Sequence, residues 1–512
     1  MKFQRAFSAA LAAFMLAGSC ITHVSAEDYV TPTPVQLNYG DVNMDNSVDV
    51  ADAVAVARYC VMDADLILSD QGKLLGDVNA DGNLDERDAL KIIRYIARII
   101  ERDALGQPDP KVNHKYNAVN LMDGITAKTA DSKQADEAFL ASQMKLAVDL
   151  FKGASQDPDS ADKDLLVSPL SVSQALAMAA NGAKGQTREE MEKLLGDTLD
   201  IDALNQYYYD YTSKLASTDK AKLHLANSLW IRNDEGRIQV PEAFLQTTND
   251  YYGADAYKAP FDDSTVEDVN SWVNENTFEM IPEIVKELPE GWIMMLINAL
   301  AFDAEWSSAY SQYEISDATF HAYDRDMTVE MMHSKERAYL EDEYATGFIK
   351  EYAGGDYSFA AILPKEEKSV TVSDYIGMMT GESLQKLLSS KTDIKVNAGI
   401  PKFKYGFSLN MIDMLKALGM KTAFSDSADF SGLNALGGTN IDAVIHKTFI
   451  QVDEKGTKAG AVTFIGVEAT CVEDSRTVSL DRPFIYLILD NKTNLPVFIG
   501  YVLHPTEATE TK

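Results

Sequence analysis

Two short acidic segments near the N-terminus carry side chains spaced to bind a metal ion. Residues 40–52 recur as residues 76–88, with an offset of 36 positions. In each copy, oxygen-bearing side chains occupy loop positions 1, 3, 5, 9 and 12, and a backbone carbonyl is available at position 7, which is the ligand pattern of a calcium loop. The predicted ligands are Asp41, Asn43, Asp45, Ser47 (by its carbonyl), Asp49 and Asp52 in the first loop, and Asp77, Asn79, Asp81, Asn83 (by its carbonyl), Asp85 and Asp88 in the second. The sequence therefore predicts two bound calcium ions.

Each loop runs into a segment that we expect to form a helix. Loop position 6 requires a sharp turn with positive φ, which Asn46 and Gly82 both tolerate. An alternative is that the acidic residues only cap two helices, because Asp is a favourable N-cap. Two loops in the same register, each with five side-chain ligands, favour the metal sites. The apolar residues of these helices are interpreted as core: Val54, Val56, Cys60, Leu90, Ile93 and Ile96.

A second segment, starting at Glu454, has the composition of a strand that could enter a β-sheet. With a period of two, the side chains of one face are all small or apolar, whereas Lys458 and Glu468 fall on the other face. The neutral face comprises Thr457, Ala459, Ala461, Thr463, Ile465, Val467 and Ala469. The segment is also rich in Gly and Ala, as an exposed loop would be. From these residues alone, a permanent β-strand stays the simpler alternative.

The large C-terminal region, residues 134–506, mixes helical and strand patterns and is interpreted as an α+β domain. It contains no glycine-rich phosphate loop, zinc-ligand spacing or nucleophile elbow. We therefore predict no catalytic residues and no enzymatic activity. Residues 102–133 are mostly polar and are interpreted as a linker, and residues 507–512 as a tail.

The N-terminus has the order of a secretory signal. Two basic residues precede an Ala-rich apolar stretch, and residues 24–26 are small, as signal peptidase requires. Residues 1–26 are interpreted as the signal peptide and residues 27–38 as a short linker, so we expect a secreted protein. A lipid anchor on Cys20 is the alternative. No other segment has about 18 uninterrupted apolar residues, so no membrane span is expected.

The charge of the chain excludes one class of partner. The sequence has 46 Lys and Arg against 79 Asp and Glu, a net charge of −33. A surface this acidic repels the phosphates of nucleic acids and of anionic membranes. It is compatible with cation binding and with an extracellular role.

The paired loops and their helices, over residues 39–101, resemble dockerin modules, the calcium-binding anchors of cellulosomes. The resemblance implies a small all-α module with two calcium loops of the F-hand type. It also implies binding to a cohesin module of a scaffoldin through loop positions 10 and 11 and the following helix face. The implied cohesin-binding residues are Val50, Ala51, Arg58, Glu86, Arg87 and Arg94.

An ordered series of short motifs in residues 134–506 resembles the serpin family. The series comprises Ser168-Pro169-Leu170-Ser171, Asn270-Ser271-Trp272-Val273, Asn298-Ala299-Leu300-Ala301-Phe302, Met331-Met332, Leu363-Pro364, Pro401-Lys402-Phe403, Leu418-Gly419-Met420, Ala428-Asp429-Phe430-Ser431-Gly432 and Asp481-Arg482-Pro483-Phe484. The resemblance implies the serpin fold, with a large central β-sheet, several helices and an exposed reactive loop. One departure lies after Phe302, where Asp303-Ala304 stands in place of the usual Lys and Gly. We expect its effect to be local.

The serpin resemblance assigns roles to particular residues. It implies a reactive-loop hinge formed by Glu454, Gly456, Thr457, Ala459, Ala461 and Thr463. It implies a polar shutter beneath the opening of the central sheet, formed by Ser168, Ser171, Asn298 and His446. Two ways of counting along the loop place the scissile bond at Thr470, Cys471 or Val472.

Three functions are compared. The first is a suicide-substrate inhibitor of serine or cysteine proteases, anchored to a scaffoldin through cohesin; small neighbours such as Val467 and Ala469 favour subtilisin-like or elastase-like targets. The second is a non-inhibitory serpin that acts as a binding module. The third is a polysaccharide hydrolase carried by the dockerin module, which the serpin motifs disfavour. The small side chains on the inward face of the hinge favour inhibition.

Overall fold

The computed structural model describes residues 38–60, 68–80, 84, 86–96, 102, 105–106, 116–234, 236–457 and 474–506. The chain divides into two compact units, Met1–Lys115 and Tyr116–Lys512. The predicted signal peptide, most of the residue 27–38 linker and the tail lie outside the described residues. In the part of the chain that is described, no helix is both long and apolar enough to cross a membrane.

The first unit is built from helices. These are α1 (Val50–Cys60), α2 (Asp70–Gly76) and α3 (Glu86–Ile96). Helix α2 begins after Ser69, whose hydroxyl accepts a hydrogen bond from the Gly72 amide at 2.9 Å. A small core joins the loops to the helices and comprises Val42, Ala53, Val56, Val78, Ala89, Ile92 and Leu105. The predicted all-α module is therefore the observed architecture among the described residues.

The second unit is built on two β-sheets. Its strands, numbered in chain order, are β1 (Val119–Asn120), β2 (Leu165–Val167), β3 (Ala221–Arg232), β4 (Asp255–Ala259), β5 (Met294–Glu305), β6 (Ile315–His321), β7 (Asp326–Glu341), β8 (Ala345–Glu351), β9 (Tyr357–Pro364), β10 (Thr392–Pro401), β11 (Phe403–Asn410), β12 (Ala443–Val452), β13 (Gly456–Thr457), β14 (Ser475–Ser479), β15 (Phe484–Asp490) and β16 (Pro496–Val502). The first sheet has the order β1-β4-β3-β5-β13-β12-β11. The second has the order β14-β10-β7-β8-β9-β15-β16-β2, and β6 pairs with β7.

Nine helices of the described residues pack around these two sheets. They are α4 (Glu137–Gln156), α5 (Pro169–Ala180), α6 (Gly185–Gly196), α7 (Ile201–Ser213), α8 (Glu242–Tyr252), α9 (Asp263–Glu275), α10 (Val372–Met378), α11 (Gly381–Ser389) and α12 (Ile412–Ala417). All residues of α5 are buried, and Ser168 caps it by accepting a hydrogen bond from the Ser171 amide. Helix α5 is thus a core element behind the first sheet, and its start carries two of the predicted shutter residues.

An additional edge strand precedes the predicted large domain. Strand β1 pairs antiparallel with β4, and Tyr116 packs edge-to-face on Trp230 and Tyr257, with ring centroids 6.3 and 5.4 Å apart. The Tyr116 hydroxyl donates to Glu275 at 2.9 Å, and the Ala118 amide donates to Asp268 at 2.8 Å. The sequence interpretation placed these residues in the 102–133 linker. The structure instead places residues 116–133 in the second unit, because this short segment supplies an aromatic anchor and a strand.

The departure after Phe302 has a local compensation. Asp303 lies opposite Lys222 in the antiparallel β3–β5 ladder, and the Glu305 carboxylate lies 3.9 Å from the Lys220 ammonium. Opposite charges on facing positions stabilise a strand pair by a few tenths of a kcal/mol to about 1 kcal/mol. The acidic residues of β5 therefore match one basic residue on β3 and one directly before it, and the strand keeps its place in the sheet.

Candidate functional site: the calcium loops and the hinge

In the first calcium loop, two carboxylates are buried. Asp52 is fully buried and Asp41 is 3 % exposed. Asp52 accepts hydrogen bonds from the amides of Val42 (2.8 Å), Asn43 (3.1 Å) and Asp49 (2.9 Å). Asp41 accepts from the amides of Asp45 and Asn46, each at 3.0 Å. These bonds close the loop around its first and last predicted ligands.

The second loop repeats this arrangement where it is described. Asp88 is fully buried and accepts hydrogen bonds from the amides of Val78 (3.0 Å) and Asn79 (3.2 Å), as Asp52 does from its own loop. The predicted ligands Asp81, Asn83 and Asp85 lie outside the described residues. Asn46, at position 6 of the first loop, has φ of +73°, as that position requires.

The residues of the first loop fit a calcium ion. The hydrogen bonds to the buried Asp52 carboxylate come from neutral backbone N–H groups, so its charge is not balanced by them. Asn43, Asp45, Ser47 and Asp49 lie around the loop and add further hard oxygen donors. Hydrogen bonds from the Ser47 side chain and amide lower the pKa of Asp45, so this carboxyl is ionised at neutral pH. Among the described residues, the acidic side chains do not form a ready-made cluster of three or more metal-ligating groups.

The predicted cohesin-binding surface is partly described. Val50 is 60 % exposed, and Ala51 and Arg58 are also exposed on α1. The side chains of Glu86, Arg87 and Arg94 lie outside the described set. Two residues interpreted as core are instead exposed: Val54 to 48 % and Ile93 to 49 %. Val54 lies one helical turn after Val50, so the two side chains form one exposed apolar surface on α1. The sequence analysis assigned only Val50 to this surface.

The four predicted shutter residues come together in the second unit. The Ser168 amide donates to His446 Nε2 at 3.1 Å, and His446 Nδ1 lies 2.9 Å from Asn298 Oδ1. Because Nε2 accepts, Nδ1 carries the proton and donates to Asn298. Ser171 donates its amide to the Ser168 hydroxyl at 3.2 Å. Burial lowers the pKa of His446 to about 3, so the imidazole is neutral.

The shutter is wider than the sequence indicated. Asn227 on β3 lies directly opposite Asn298 on β5, and Gln174 follows Ser171 on α5. Four buried polar atoms here have no hydrogen-bond partner among the described residues: Ser171 Oγ, Gln174 Nε2, Asn227 Oδ1 and Asn298 Nδ2. An unpaired buried polar atom costs about 1–3 kcal/mol. The buried side-chain polar groups of α5, β3 and β5 are therefore incompletely satisfied at this point.

The shutter lies at a fork between two strands. The β5–β12 ladder runs in parallel from Met295/Ala443 to Asn298/His446. Beyond that point, the described strands are rejoined only at the far end, where β13 pairs with β5 and with β12. The hydrogen bond between His446 and Asn298 thus occupies the last paired register before the strands separate.

The start of the predicted hinge is seated between these strands. Gly456 pairs with Glu305, and Thr457 pairs with Ala304 on one side and Val452 on the other. Thr457 is 2 % exposed, and its hydroxyl lies 2.6 Å from the hydroxyl of Tyr352. A Cβ at Gly456 would collide with the Ala304 carbonyl oxygen, so only glycine fits this register.

Glu454, the charged residue of the predicted hinge, is held by Lys402, which lies between β10 and β11. Lys402 lies 2.9 Å from Glu454 and 3.3 Å from Glu330. Burial, the largest single effect, opposes ionisation of Glu454, but the hydrogen bond and charge of Lys402, a backbone hydrogen bond and the charge of Lys455 together outweigh it and lower the pKa of Glu454. The remaining predicted hinge residues, Ala459, Ala461 and Thr463, and the predicted scissile window, Thr470, Cys471 and Val472, lie outside the described residues.

Comparisons with known proteins agree with both units. The family model described as serpin (serine protease inhibitor) matches residues 141–505, and the dockerin type I domain model matches residues 39–97. The chain belongs to the serpin family. It also carries a dockerin type I domain.

Relatives and solved structures are similar to the serpin part. An uncharacterized serpin-like protein of Thermococcus kodakarensis is 31% identical over 68% of this chain and 82% of its own length. Leukocyte elastase inhibitor A of Mus musculus is 30% identical over 70% of this chain and 97% of its own length. The crystal structure of the thermophilic serpin tengpin in the native state is 44% identical, with a TM-score of 0.72, and covers 76% of this chain and 99% of that chain.

Proposed function

We propose that this serpin is a secreted suicide-substrate inhibitor of serine proteases, anchored outside the cell through its dockerin domain. The observation that supports inhibition most directly is the hinge. Gly456 and Thr457 already pair with the strands on both sides of the gap, so the sheet accepts the start of the loop as a new strand. The next side chains predicted for the same face, Ala459, Ala461 and Thr463, are small enough to continue this pairing.

The geometry supports a reaction in two stages. The target protease attacks a loop carbonyl between Thr470 and Val472; the ester to its serine forms as the peptide C–N bond breaks, and the amine leaves with a proton. The freed loop then extends β13 along the gap and displaces the β5–β12 ladder from the fork downward. The covalently attached protease moves with the loop, which disrupts its active site before hydrolysis. Loop insertion of this kind is a known form of conformational switch.

The target class follows from the residues around the scissile window. Val467, Ala469 and Thr470 are small or apolar, which suits subtilisin-like or elastase-like proteases. One relative of similar sequence is named leukocyte elastase inhibitor, which agrees with this class. Cysteine proteases, which also form an acyl-enzyme, are a second class of target.

The test is incubation of the full chain with subtilisin and with elastase, followed by a denaturing gel. We expect a complex that resists denaturation, with a mass equal to protease plus the N-terminal part of the inhibitor. Thr457→Arg places a charge in the buried register beside Tyr352, so it should be cleaved without forming the complex. Lys455→Arg, two residues earlier, keeps the charge and is the matched control. Clean loop cleavage of the wild-type chain by both proteases would instead support the non-inhibitory serpin.

The anchoring role rests on the first unit. The dockerin domain implies a cohesin partner, and the exposed apolar residues of α1 supply a surface for it. Two calcium ions would be held by the loops around Asp41–Asp52 and Asp77–Asp88, and they supply the positive charge that fixes the loop oxygens. We propose that the inhibitor thereby protects an assembly of extracellular proteins from proteolysis.

A further inference from the structure

Lys350 is a charged side chain buried beneath the hinge. It belongs to β8 and is 2 % exposed. Its ammonium donates a hydrogen bond to Glu336 of β7 at 3.0 Å. It also lies 4.5 Å from the centre of the Tyr310 ring and 5.4 Å from that of the Trp306 ring. A cation this deeply desolvated is tolerated because the carboxylate and the two ring faces balance it.

The same two aromatic residues hold the hinge by hydrogen bonds. The Trp306 amide donates to the Lys455 carbonyl, and the Tyr310 amide donates to the Glu454 carbonyl, each at 2.9 Å. The Trp306 indole N–H donates to the Asp453 carbonyl, also at 2.9 Å. Three successive carbonyls of the chain entering the hinge therefore find their donors on the two residues that flank the Lys350 ammonium.

The contacts continue from the rings to the seated strand. The Trp306 ring stacks on Tyr352 with centroids 4.6 Å apart and an interplanar angle of 7°. The Tyr352 hydroxyl bonds to Thr457 at 2.6 Å, and burial raises the pKa of Tyr352, so the hydroxyl keeps its proton. A continuous set of contacts, through Trp306 and Tyr352, thus joins Lys350 to Thr457 of the seated strand.

Glu336 fixes the other side of the same arrangement. It accepts a hydrogen bond from the Ser334 hydroxyl at 2.6 Å, and that hydroxyl lies 3.3 Å from the Tyr310 hydroxyl. The carboxylate therefore orients Tyr310 through Ser334, while the ammonium contacts the Tyr310 ring. Both charges act on the residue whose amide holds Glu454.

We propose that Lys350, balanced by Glu336, is a positioning residue for loop insertion. Its ammonium fixes the Trp306 and Tyr310 rings so that their N–H groups seat residues 453–457 before any protease arrives. The use of this seated start in inhibition rests on the proposed function. The seating itself is a property of the chain alone and is measurable without a protease.

The variant must remove both charges, because loss of Lys350 alone would leave the partly buried Glu336 carboxylate without its neighbouring cation. Lys350→Met combined with Glu336→Gln keeps the volume of both side chains, and the new amide oxygen can still accept a hydrogen bond from Ser334. The matched control is Lys145→Met with Asp149→Asn, which removes an exposed ion pair of 2.6 Å on α4. Both double variants therefore lose one cation and one carboxylate.

The experiment is residue-resolved hydrogen exchange on the full chain. In the variant that lacks Lys350 and Glu336, we expect the Trp306 and Tyr310 amides to exchange about tenfold faster, because their acceptors are hinge carbonyls. The amides of the β15–β16 ladder should keep their wild-type rates, and the α4 control should change neither set. Wild-type protection of Trp306 and Tyr310 in this variant would overturn the proposal. Equal acceleration across both sheets would also overturn it, because it would indicate only a loss of folding stability.

A second measurement separates this inference from the proposed function. With subtilisin, the same variant should need at least about twofold more inhibitor per protease molecule than the wild type, because less of the loop inserts before hydrolysis. If the wild-type chain forms no complex, the proposed function fails, and the exchange rates still decide the role of Lys350. If the wild-type chain forms the complex and the variant has an unchanged stoichiometry, the positioning role in insertion is refuted.

Discussion

Gly456 shows how one residue type can control access to a sheet. The register that it occupies is closed to any Cβ by the Ala304 carbonyl. Its role in the hinge could be inferred from sequence only by resemblance, because a Gly-rich stretch alone fits a loop equally well. The sequence could not show that only glycine fits at position 456, because the obstacle is the Ala304 carbonyl of β5, which is distant along the chain.

We expect Gly456→Ala to prevent the hinge from pairing with β5, since the added methyl group would force the strands apart. The variant should be cleaved by subtilisin while forming several-fold less of the denaturation-resistant complex. A gel of the reaction products measures both species. Gly377→Ala is the control, because that glycine has open space around its Cβ position. Complex formation at the wild-type level by Gly456→Ala would contradict the steric interpretation.

The neutral imidazole of His446 gives the protein a predictable pH dependence. Its pKa is lowered by burial to about 3, whereas an unfolded His titrates near 6.5. As pH falls below about 6.5, only the unfolded chain takes up this proton, so stability is lost. Between pH 7 and pH 5 the loss from this one group is about 2 kcal/mol.

The variant that tests this is His446→Gln, which keeps a donor and an acceptor but does not titrate. We expect the free energy of unfolding of the wild type to fall more than that of the variant between pH 7 and pH 5, by about 2 kcal/mol. Urea denaturation followed by tryptophan fluorescence at the two pH values measures the difference. Identical pH slopes for the two proteins would contradict this, because they would mean that His446 takes up its proton over the same pH range in the folded and the unfolded chain.

At the scale of elements, the resemblances to dockerin modules and to serpins predicted both architectures, but the composition of the chain misplaced a boundary. The ordered motifs carried the serpin resemblance and, with it, the expectation of a large central sheet. Strand β1 has two residues and no such signature, so residues 116–133 were interpreted as a linker. The exposed Val54 and Ile93 were misassigned for a related reason: an apolar side chain on a helix has the same pattern whether it faces a core or a partner.

The added edge strand should stabilise the second unit. We expect Tyr116→Ala to lower the free energy of unfolding by about 2 kcal/mol, because a half-buried ring leaves the faces of Trp230 and Tyr257. Tyr116→Phe, which loses only the hydrogen bond to Glu275, should cost about 1 kcal/mol or less. Thermal unfolding followed by calorimetry compares the two. If residue 116 belonged to a plain linker, neither substitution would change the transition of this unit.

The calcium loops should bind two ions independently of the serpin unit. After removal of metal with EDTA, calorimetric titration of the full chain should show two equivalents of calcium. Asp52→Ala and Asp88→Ala should each remove one equivalent, since each deletes the buried final ligand of one loop. Asp149→Ala, a control substitution in α4, should leave both equivalents of calcium bound.

The same metal dependence applies to cohesin binding. EDTA should abolish binding to a cohesin module, and added calcium should restore it, because the loops orient the start of α1 and α3. Surface plasmon resonance with an immobilised cohesin measures this. Binding that persists in EDTA would contradict a calcium-dependent anchor.

At the scale of the molecule, the proposed anchoring and the proposed inhibition reside in different compact units, divided between Lys115 and Tyr116. The two units have different requirements. On the proposed function, the first unit would bind calcium through its loop oxygens, whereas the second would need a sheet that opens. The net charge of −33 includes the carboxylates of the predicted calcium loops, and a charge of this sign repels polyanions.

Cleavage of the loop without a trapped protease should therefore stabilise only the second unit. Insertion adds a strand that forms ladders with β5 and β12, at roughly 1 kcal/mol per hydrogen bond. We expect the midpoint of its thermal transition to rise by about 10 °C or more. Calorimetry of intact and cleaved chains measures this, and Thr457→Arg should show no such rise. An unchanged midpoint in the cleaved wild type would mean that the loop stays outside the sheet.

The fork between β5 and β12 can be described as the tip of a crack. Behind it the strands are already parted and wedged open at the far end by β13, while ahead of it the ladder runs from Asn298/His446 to Met295/Ala443. During the proposed insertion, the loop would act first on the register at this fork, where His446 and Asn298 share one hydrogen bond. We therefore expect the sheet to open one register after another from that pair, with the resistance to opening set locally by these two side chains.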